Sequence, residues 1–403
     1  MTNRYDAIVV GARCAGSPTA MLLARQGYRV LLVDRATFPS DTMSTHIVHA
    51  PGLAALDRWQ LLERLRASGC PPFERYSFDL NSTVIAGTPH PFGGISGGVA
   101  PRRTVLDKIL VDAADTAGAE VRERFSVSEI VVEDGVVVGI RGRDSSGAEV
   151  TERARVVVGA DGRNSSVAKA VAPVQYNEKP RMQWSYYSYW SGLPTTGFEN
   201  VGRPDRGWAA VPTNDGLTIL VVGWPYAETQ AFKADVEGNF LATLELAPEF
   251  AARVRAAKRE ERFFGGTADN YFRQPFGPGW ALVGDAGYSK DSITAQGIGD
   301  AFRDAESCAG GLDAWLSGAS TYDDAMARYH RERDARAEAI YELTTQLATL
   351  QPPDAQLQQL LEAMTGQPDA MDAFVSVMAG TMAPDDFFGD DNVATIVQRA
   401  QAL

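Results

Sequence analysis

The chain has 403 residues, 45% of them hydrophobic, and a formal net charge of −13. This acidic balance argues against a partner that is duplex nucleic acid, which normally needs a basic face against its phosphates. The three cysteines show no CxxC spacing, so we expect neither a disulfide framework nor a metal site. No apolar run reaches the roughly 18 residues of a membrane span and no secretory signal pattern opens the chain, so we expect a cytoplasmic protein without a membrane span.

The N-terminal region has the pattern of a βαβ unit. Tyr5–Val10 is a short β-branched run typical of a buried parallel strand, and Tyr28–Val33 is a second one. Between them, Pro18–Arg25 is predicted to be helical, because a proline costs little in a first helical turn.

The turn between the first strand and the helix carries Gly11-Ala12-Arg13-Cys14-Ala15-Gly16, a GxGxxG motif whose middle glycine is Arg13. Gly11 permits the tight turn, Gly16 lets the helix pack closely, and the helix N-terminus can receive a pyrophosphate. Asp34 ends the second strand, where an acid commonly accepts the ribose hydroxyls of an adenosine. A tight strand–helix turn without any ligand remains the alternative.

Two later segments repeat the pattern of a strand that ends in glycine and aspartate. Asp161-Gly162 follows one apolar run, and Gly284-Asp285 follows another and precedes the small-residue stretch Gln296–Gly299. Small residues let a backbone approach a flat ring, and a helix N-terminus can hold its anionic part. Each segment alone is equally consistent with a capped α/β turn.

The rest of the chain alternates between helical and strand-like segments. Helices are predicted at Gly52–Ser68, at Arg103–Gly118 and over residues 300–314, and strands over residues 136–140, 154–159 and 280–283. Residues 181–225 are strand-rich and aromatic, and the chain after Thr321 is helical apart from its prolines. The pattern predicts an α/β nucleotide-binding domain with an inserted sheet.

Taken together, the three motifs resemble the FAD-dependent monooxygenases of the p-hydroxybenzoate hydroxylase type, which also resemble geranylgeranyl reductases. The family's GADGxxSxV signature matches residues 159–167, and its GDAxH…PxxGQGxNxxxxDA signature aligns on residues 284–305. The resemblance covers about residues 1–320. It implies a Rossmann-like FAD-binding domain (1–74, 101–172 and 271–320), an inserted, mostly antiparallel substrate-binding sheet (75–100 and 173–270) and a C-terminal helical region (321–403).

Carried over position by position, the resemblance implies a set of FAD-binding residues. Ser292 replaces the usual proline beside the flavin, and Gly299 replaces an asparagine, which leaves oxygen activation open. The implied set is Gly11, Arg13, Cys14, Ala15, Gly16, Asp34, Arg35, Arg103, Val127, Asp161, Gly162, Gly284, Asp285, Gln296, Gly297, Ile298 and Gly299.

The implied reaction uses bound FAD, NAD(P)H as a transient hydride donor and O2. A flavin hydroperoxide would hydroxylate or epoxidise an aromatic or other hydrophobic small molecule, and the protein would be a monomer or homodimer. A reductase or dehydrogenase of the geranylgeranyl reductase kind, or a redox-neutral FAD-containing scaffold, remains open. A halogenase is less favoured, because the chain has no WxWxIP segment.

The substrate pocket is predicted to be aromatic. Strand alternation puts Trp184, Tyr186 and Trp190 on one face, and with Trp208 and Ser292 they are the expected pocket residues. A sheet that packs this face on helices is the alternative. His46 is the candidate acid, base or substrate contact, or else an ordinary hydrogen-bonded loop histidine. Lys290 and Asp291 are expected to form a local pair without a catalytic part.

Overall fold

The computed structural model describes residues 4–81 and 83–402. Within these residues the helices are α1 Gly16–Arg25, α2 Ala50–Arg58, α3 Leu62–Arg66, α4 Arg103–Thr116, α5 Ser166–Val171, α6 Thr229–Ala234, α7 Val236–Leu244, α8 Pro248–Ala256, α9 Gly297–Leu316, α10 Tyr322–Leu347, α11 Ala355–Met364, α12 Pro368–Met378, α13 Pro384–Phe388 and α14 Asp390–Gln401.

The strands in the same part of the chain are β1 Arg4–Val10, β2 Val30–Val33, β3 Val48–His49, β4 Pro72–Phe73, β5 Tyr76–Asp79, β6 Val84–Gly87, β7 Gly98–Val99, β8 Glu120–Arg122, β9 Ser126–Glu133, β10 Val136–Arg143, β11 Glu149–Gly159, β12 Gln175–Lys179, β13 Gln183–Ser191, β14 Phe198–Arg203, β15 Arg206–Pro212, β16 Thr218–Pro225, β17 Lys258–Arg259, β18 Phe264–Gly266, β19 Asn270–Arg273, β20 Phe276–Gly277, β21 Trp280–Leu282 and β22 Tyr288–Ser289.

The first large sheet is mostly parallel and has the strand order β20-β21-β11-β1-β2-β8, with β10 and β9 added beside β11. The apolar run of β1 is buried on both faces. Ala7 and Val9 pack with α1, α2, α4 and α9, whereas Ile8 and Val10 pack with β9 and β10. This burial on both sides explains why the strand is continuously apolar rather than alternating. The α/β fold predicted from the sequence is confirmed.

The second large sheet has the order β17-β13-β16-β15-β14-β5-β6, with β18 paired to β13. Residues 75–100 and 173–270 therefore contribute to one sheet, and most of its pairs are antiparallel. Helices α6–α8 cover one face, and the helices after residue 350 pack on the other. The domain bounds themselves stay a prediction.

One predicted helix is divided. The segment Gly52–Ser68 forms α2 and α3, because Gln60 adopts a left-handed φ of 63° that ends the first helix. The C-terminal region is helical as expected, and it packs against the second sheet, where the rings of Phe374 and Phe78 lie 5.7 Å apart. None of the helices in the described ranges has the length and apolar character needed to cross a membrane.

Candidate functional site

A cleft of about 830 Å³ lies where the parallel strands of the first sheet end and the second sheet begins. Gly11, Asp34, Asp161 and Gly284 follow the strands β1, β2, β11 and β21 within two residues, and all four of these residues line the cleft. The three sequence motifs are therefore brought together at one edge of the sheet, the usual ligand position in an open α/β fold.

The glycine turn after β1 tolerates no side chain at two positions. Gly11 has a φ of 102°, and a Cβ there would lie 2.5 Å from the carbonyl oxygen of Ala160. A Cβ on Gly16 would lie 1.7 Å from the carbonyl oxygen of Gly11. Arg13, Cys14 and Ala15 line the cleft at the start of α1, whereas Gly16 lies behind them. The two glycines thus bring the N-terminus of α1, the end of a helix that attracts anions, to the cleft.

Asp34 stabilises the turn as well as lining the cleft. Its Oδ2 atom accepts a hydrogen bond of 2.7 Å from the Ala12 N–H, and its Oδ1 atom accepts one of 2.8 Å from Ala36. A carboxylate has about four acceptor positions, so this side chain retains capacity for a ligand hydroxyl. The predicted residues Arg35 and Val127 also line this end of the cleft.

Arg13 points to a buried carboxylate of helix α4. Its Nη1 atom lies 2.5 Å from Oδ2 of Asp107, and Arg103 donates to Oδ1 of the same side chain at 2.9 and 3.0 Å. Burial acts to lower the pKa of Arg103, but the nearby Cys14 and Asp107 raise it overall, so Arg103 stays charged. Asp107 was not predicted as a site residue, and its sequence signal is its i,i+4 spacing from Arg103.

Two aspartates mark the later motifs. Asp161 accepts from the N–H and hydroxyl of Ser166 through Oδ2, at 2.6 and 2.7 Å. Its Oδ1 atom is buried and has no partner among the described residues. Asp285 is an exposed residue, and it lines the cleft. Desolvation there raises the pKa of its carboxyl group, against the opposing effect of Arg163 and Arg103.

The N-terminus of helix α9 forms another wall. Gly297 and Ile298 line the cleft, and a Cβ placed on Gly297 or Gly299 would have no described residue outside its own helical turn within 4 Å. Gln296 and Gly299 were predicted to underlie the cofactor but are not among the lining residues. The Gln296 side chain instead donates a hydrogen bond of 3.1 Å to the carbonyl oxygen of Met378 in α12, which turns its amide away.

The predicted aromatic pocket requires a correction. The expected alternation places Trp184, Tyr186 and Trp190 on one face of β13, but that face packs on helices α6–α8. Tyr186 lies 5.3 Å from the ring of Phe232 and Trp190 lies 6.4 Å from that of Phe240, because these helices bring their own aromatic rings.

Trp208 belongs to the same apolar layer, so none of the four aromatic residues lines the cleft. The opposite face of β13 lines it instead, through Ser185 and Tyr187. Ser292, the fifth predicted pocket residue, does line the cleft.

His46 lies beside the cleft but is fully buried, and both ring nitrogens are engaged. The Nδ1 atom donates to the carbonyl oxygen of Ser44 at 2.6 Å, so Nε2 accepts from the hydroxyl of Tyr189 at 2.7 Å. Burial lowers the pKa of His46 to about 3, and Arg103 adds to this effect. The histidine is therefore neutral and hydrogen-bonded within the protein, which is the loop-histidine alternative and does not favour the prediction of an acid or base.

The expected pair of Lys290 and Asp291 is also corrected. Lys290 forms an ion pair with Asp300 of α9, and Arg303 forms a second ion pair with Asp300 at 2.5 Å. Asp291 has no ion-pair partner among the described residues and accepts instead from the side-chain amide of Gln183. Both Lys290 and Asp291 line the cleft.

The features of this cleft fit FAD. The first turns of α1 and α9 offer N–H groups to anionic parts of a ligand, and Gly297 leaves room for a flat ring against the backbone. The partnerless Oδ1 atom of Asp161 and the cleft-facing Asp285 supply acceptors for hydroxyl groups. The sequence has one GxGxxG-like turn between a strand and a helix, so it offers one dinucleotide site of this kind.

Comparison with known proteins points the same way. Residues 4–344 match the model of a family described as an FAD binding domain. The digeranylgeranylglycerophospholipid reductase of Methanocella arvoryzae is 33% identical over 169 residues, which span 42% of this chain and 42% of that protein. The 6-methylpretetramide 4-monooxygenase of Streptomyces rimosus is 28% identical over 320 residues, covering 74% of this chain and 73% of that protein.

A solved structure shares the fold over almost the whole chain. The flavin-dependent brominase Bmp2 superposes with a TM-score of 0.81 and covers 99% of both chains, at 17% sequence identity. An identity this low speaks to the fold alone.

Proposed function

This chain belongs to the FAD-binding domain family and is an FAD-dependent oxidoreductase, and from that premise we propose that it is a monooxygenase. It would use NAD(P)H and O2 to insert one oxygen atom into an aromatic or other hydrophobic small molecule. When bound, FAD supplies the hydride and oxygen chemistry, and the protein supplies binding, orientation and a dry environment.

The observation that carries this proposal is a single cleft shared by the dinucleotide motifs and the second sheet. Gly11, Asp161 and Asp285 line it from the first sheet, and Ser185 and Tyr187 line it from β13. A substrate bound against β13 would therefore face the FAD bound along the three motifs. The alignment with a monooxygenase over 320 residues supports the same reaction class.

The chain's own residues would bind and orient the cofactor and the substrate. His46 would not transfer protons, because both of its ring nitrogens are engaged within the protein. The start of α1 would receive the pyrophosphate, with Arg13 fixed beside it by Asp107. Asp34, Asp161 and Asp285 would accept ligand hydroxyls. Val221 and Tyr187 would exclude water from the substrate side of the cleft, because both are apolar or aromatic surfaces in its wall.

A reductase is the second candidate. The relative with 33% identity is a reductase, although the aligned stretch spans only 42% of its length. Ser292 lines the cleft at the position where the resembled monooxygenases carry proline. The chain therefore differs from those monooxygenases beside the edge of the flavin where oxygen would be activated.

Spectroscopy and oxygen uptake test the proposal. The purified protein is expected to be yellow, to be bleached by NADPH or NADH without air, and to consume O2 with a panel of aromatic compounds. One product should gain the mass of a single oxygen atom, which comes from labelled O2. Turnover that proceeds without O2 would favour the reductase, halide incorporation would favour a halogenase, and a flavin that no nicotinamide reduces would favour a redox-neutral scaffold.

A further inference from the structure

Asp291 carries a buried acceptor atom that no other described residue satisfies. The residue is 2% exposed and lines the cleft. Its Oδ1 atom accepts from the side-chain amide of Gln183 and from the Ile293 N–H at 3.0 Å. Its Oδ2 atom is buried and has no partner within the described ranges. A buried carboxylate oxygen without a donor is costly, so such an atom calls for an explanation.

The surroundings of Asp291 hold it in one orientation. Its N–H donates to Oδ1 of Asn270 in β19 at 2.7 Å. Gln183 projects from β13 into a space that exists because residue 223 is glycine, since a Cβ there would lie 2.3 Å from Oε1 of Gln183. Gln183 of β13 and the Ile293 N–H therefore fix Oδ1, Asn270 of β19 fixes the backbone of Asp291, and Oδ2 is left as the free end of the carboxyl group.

The charged groups around Asp291 do not neutralise it. The groups that contact it from β13 and β19 are the neutral amides Gln183 and Asn270. Lys290, the preceding residue, is bound to Asp300 of α9, which also holds Arg303. Burial accordingly raises the pKa of Asp291 to about 6, in spite of the hydrogen bonds from Gln183 and the backbone.

The face of β13 that carries Gln183 also lines the cleft on the side where the substrate is proposed to bind. Gln183, Ser185 and Tyr187 alternate along this face, and Ser185 and Tyr187 line the cleft with Asp291. A ligand that lies along β13 would pass next to the carboxyl group of Asp291 at the end of the strand that carries Gln183.

We propose that Oδ2 of Asp291 is the acceptor for a hydroxyl or amino group of the substrate, and that Gln183 is its positioning residue. This inference rests on the proposed function, because the ligand of Asp291 is the substrate of that reaction. It narrows the substrate class to hydrophobic molecules that carry an O–H or N–H donor. A site built around an acceptor rejects an analogue that lacks the donor, because the buried acceptor then stays unpaired.

A matched pair of probes tests the inference. The binding of 1-naphthol and of 1-methoxynaphthalene to the FAD-loaded protein is measured from the change in the flavin's visible spectrum. At pH 8 the wild type is expected to bind the hydroxyl compound at least tenfold more tightly than the ether. At pH 5, where Asp291 is mostly protonated, the preference should fall below about threefold.

Substitutions identify the residue responsible. Asp291→Asn should remove the preference at both pH values, because the amide oxygen would stay with Gln183 and the amide nitrogen, a donor, would replace the free acceptor. Gln183→Leu should still prefer the hydroxyl compound at pH 8. It should lose this preference at a higher pH than the wild type, because removing one donor to the ionised carboxylate raises the pKa of Asp291. Asp269→Asn, at an exposed residue bound to Arg181, is the control and should behave as wild type.

Three results would overturn the inference. They are equal binding of the two probes by wild type, failure of 1-naphthol to bind at all, and an unchanged preference in Asp291→Asn. Each concerns binding alone, so it leaves O2 consumption and oxygen insertion, the tests of the proposed function, to be judged separately.

Discussion

The Nη1 atom of Arg13 lies 2.5 Å from Oδ2 of Asp107, and this contact joins the glycine turn after β1 to helix α4. Asp107 is fully buried, and Arg103 occupies its other oxygen. The arginine that interrupts the GxGxxG pattern is therefore held by the protein itself, and the turn and the helix are coupled at the edge of the cleft.

Asp107→Asn should destabilise the protein strongly. Two arginines would lose their shared counter-charge, and breaking a buried ion pair from one side typically costs about 3–5 kcal/mol. The free energy of unfolding in urea measures this loss. Asp112→Asn, five residues further along α4, is the matched control, because Asp112 is partly exposed and its ion pairs within the described ranges are with Lys108 and Arg64. Its loss should stay below about 1 kcal/mol, and an equal loss in both variants would contradict the role given to Asp107.

Much of the site could be predicted from the sequence, because its backbone follows from local signals. Gly11, Gly16 and Asp34 are specified by a strand–turn–helix pattern that needs no knowledge of the rest of the chain. The two later aspartates follow apolar strands in the same way. These turns meet because the strands are parallel neighbours in one sheet, with β1 between β2 and β11.

The parts that could not be predicted depend on tertiary packing. Alternation along β13 divides its residues into two faces, but it does not tell which face meets the cleft. The choice is made by residues 229–256, whose helices bring Phe232, Phe240 and Phe250 against Tyr186 and the tryptophans. Likewise, a loop position alone does not show that His46 is enclosed by Tyr187 and Tyr189.

Gly16→Ala should disrupt the turn that receives the cofactor. The new Cβ would lie 1.7 Å from the Gly11 carbonyl oxygen, so strand β1 and helix α1 would have to separate. We expect weaker FAD retention and a lower melting temperature. Gly310→Ala is the control, because this exposed glycine inside α9 has no heavy atom within 4 Å of the new Cβ. It should stabilise the protein by about 0.5–1 kcal/mol, and a wild-type FAD content in Gly16→Ala would count against our placement.

Asp285→Asn should weaken FAD binding without weakening the apoprotein. Hydrogen bonds to charged groups contribute about 1.5–3 kcal/mol, so the Kd for FAD should rise roughly 10- to 100-fold. Because the Asp285 side chain is exposed and lines the cleft, its charge contributes little to the packing of the fold, and the melting temperature of the apoprotein should not fall.

Fluorescence titration with FAD measures the effect of Asp285→Asn. Asp215→Asn is the control, since Asp215 is an exposed turn residue with a φ of 63°, a conformation that asparagine tolerates. Unchanged FAD affinity in Asp285→Asn, or an equal loss in the control, would remove Asp285 from the cofactor site.

The buried histidine gives the protein a specific acid sensitivity. In the folded protein the pKa of His46 is lowered to about 3, whereas an unfolded histidine takes up its proton near pH 6.5. The unfolded state therefore binds more protons between these pH values. The contribution of neutral His46 to stability is complete above pH 6.5 and is lost as the pH falls towards 3, by up to about 1.4 kcal/mol per pH unit.

His46→Asn separates this effect from ordinary packing. At pH 7.5 the variant should be less stable by roughly 1–3 kcal/mol, because the hydrogen bonds to Ser44 and Tyr189 are lost. Between pH 6.5 and 5 the difference from wild type should shrink, since the variant has no proton to gain at this position on unfolding. Unfolding in urea at several pH values measures it, and His90→Asn, at an exposed histidine, should keep the wild-type pH dependence. A constant difference between wild type and His46→Asn across this range would show that His46 is accessible to protons, and it would return the histidine to consideration as an acid or base in the cleft.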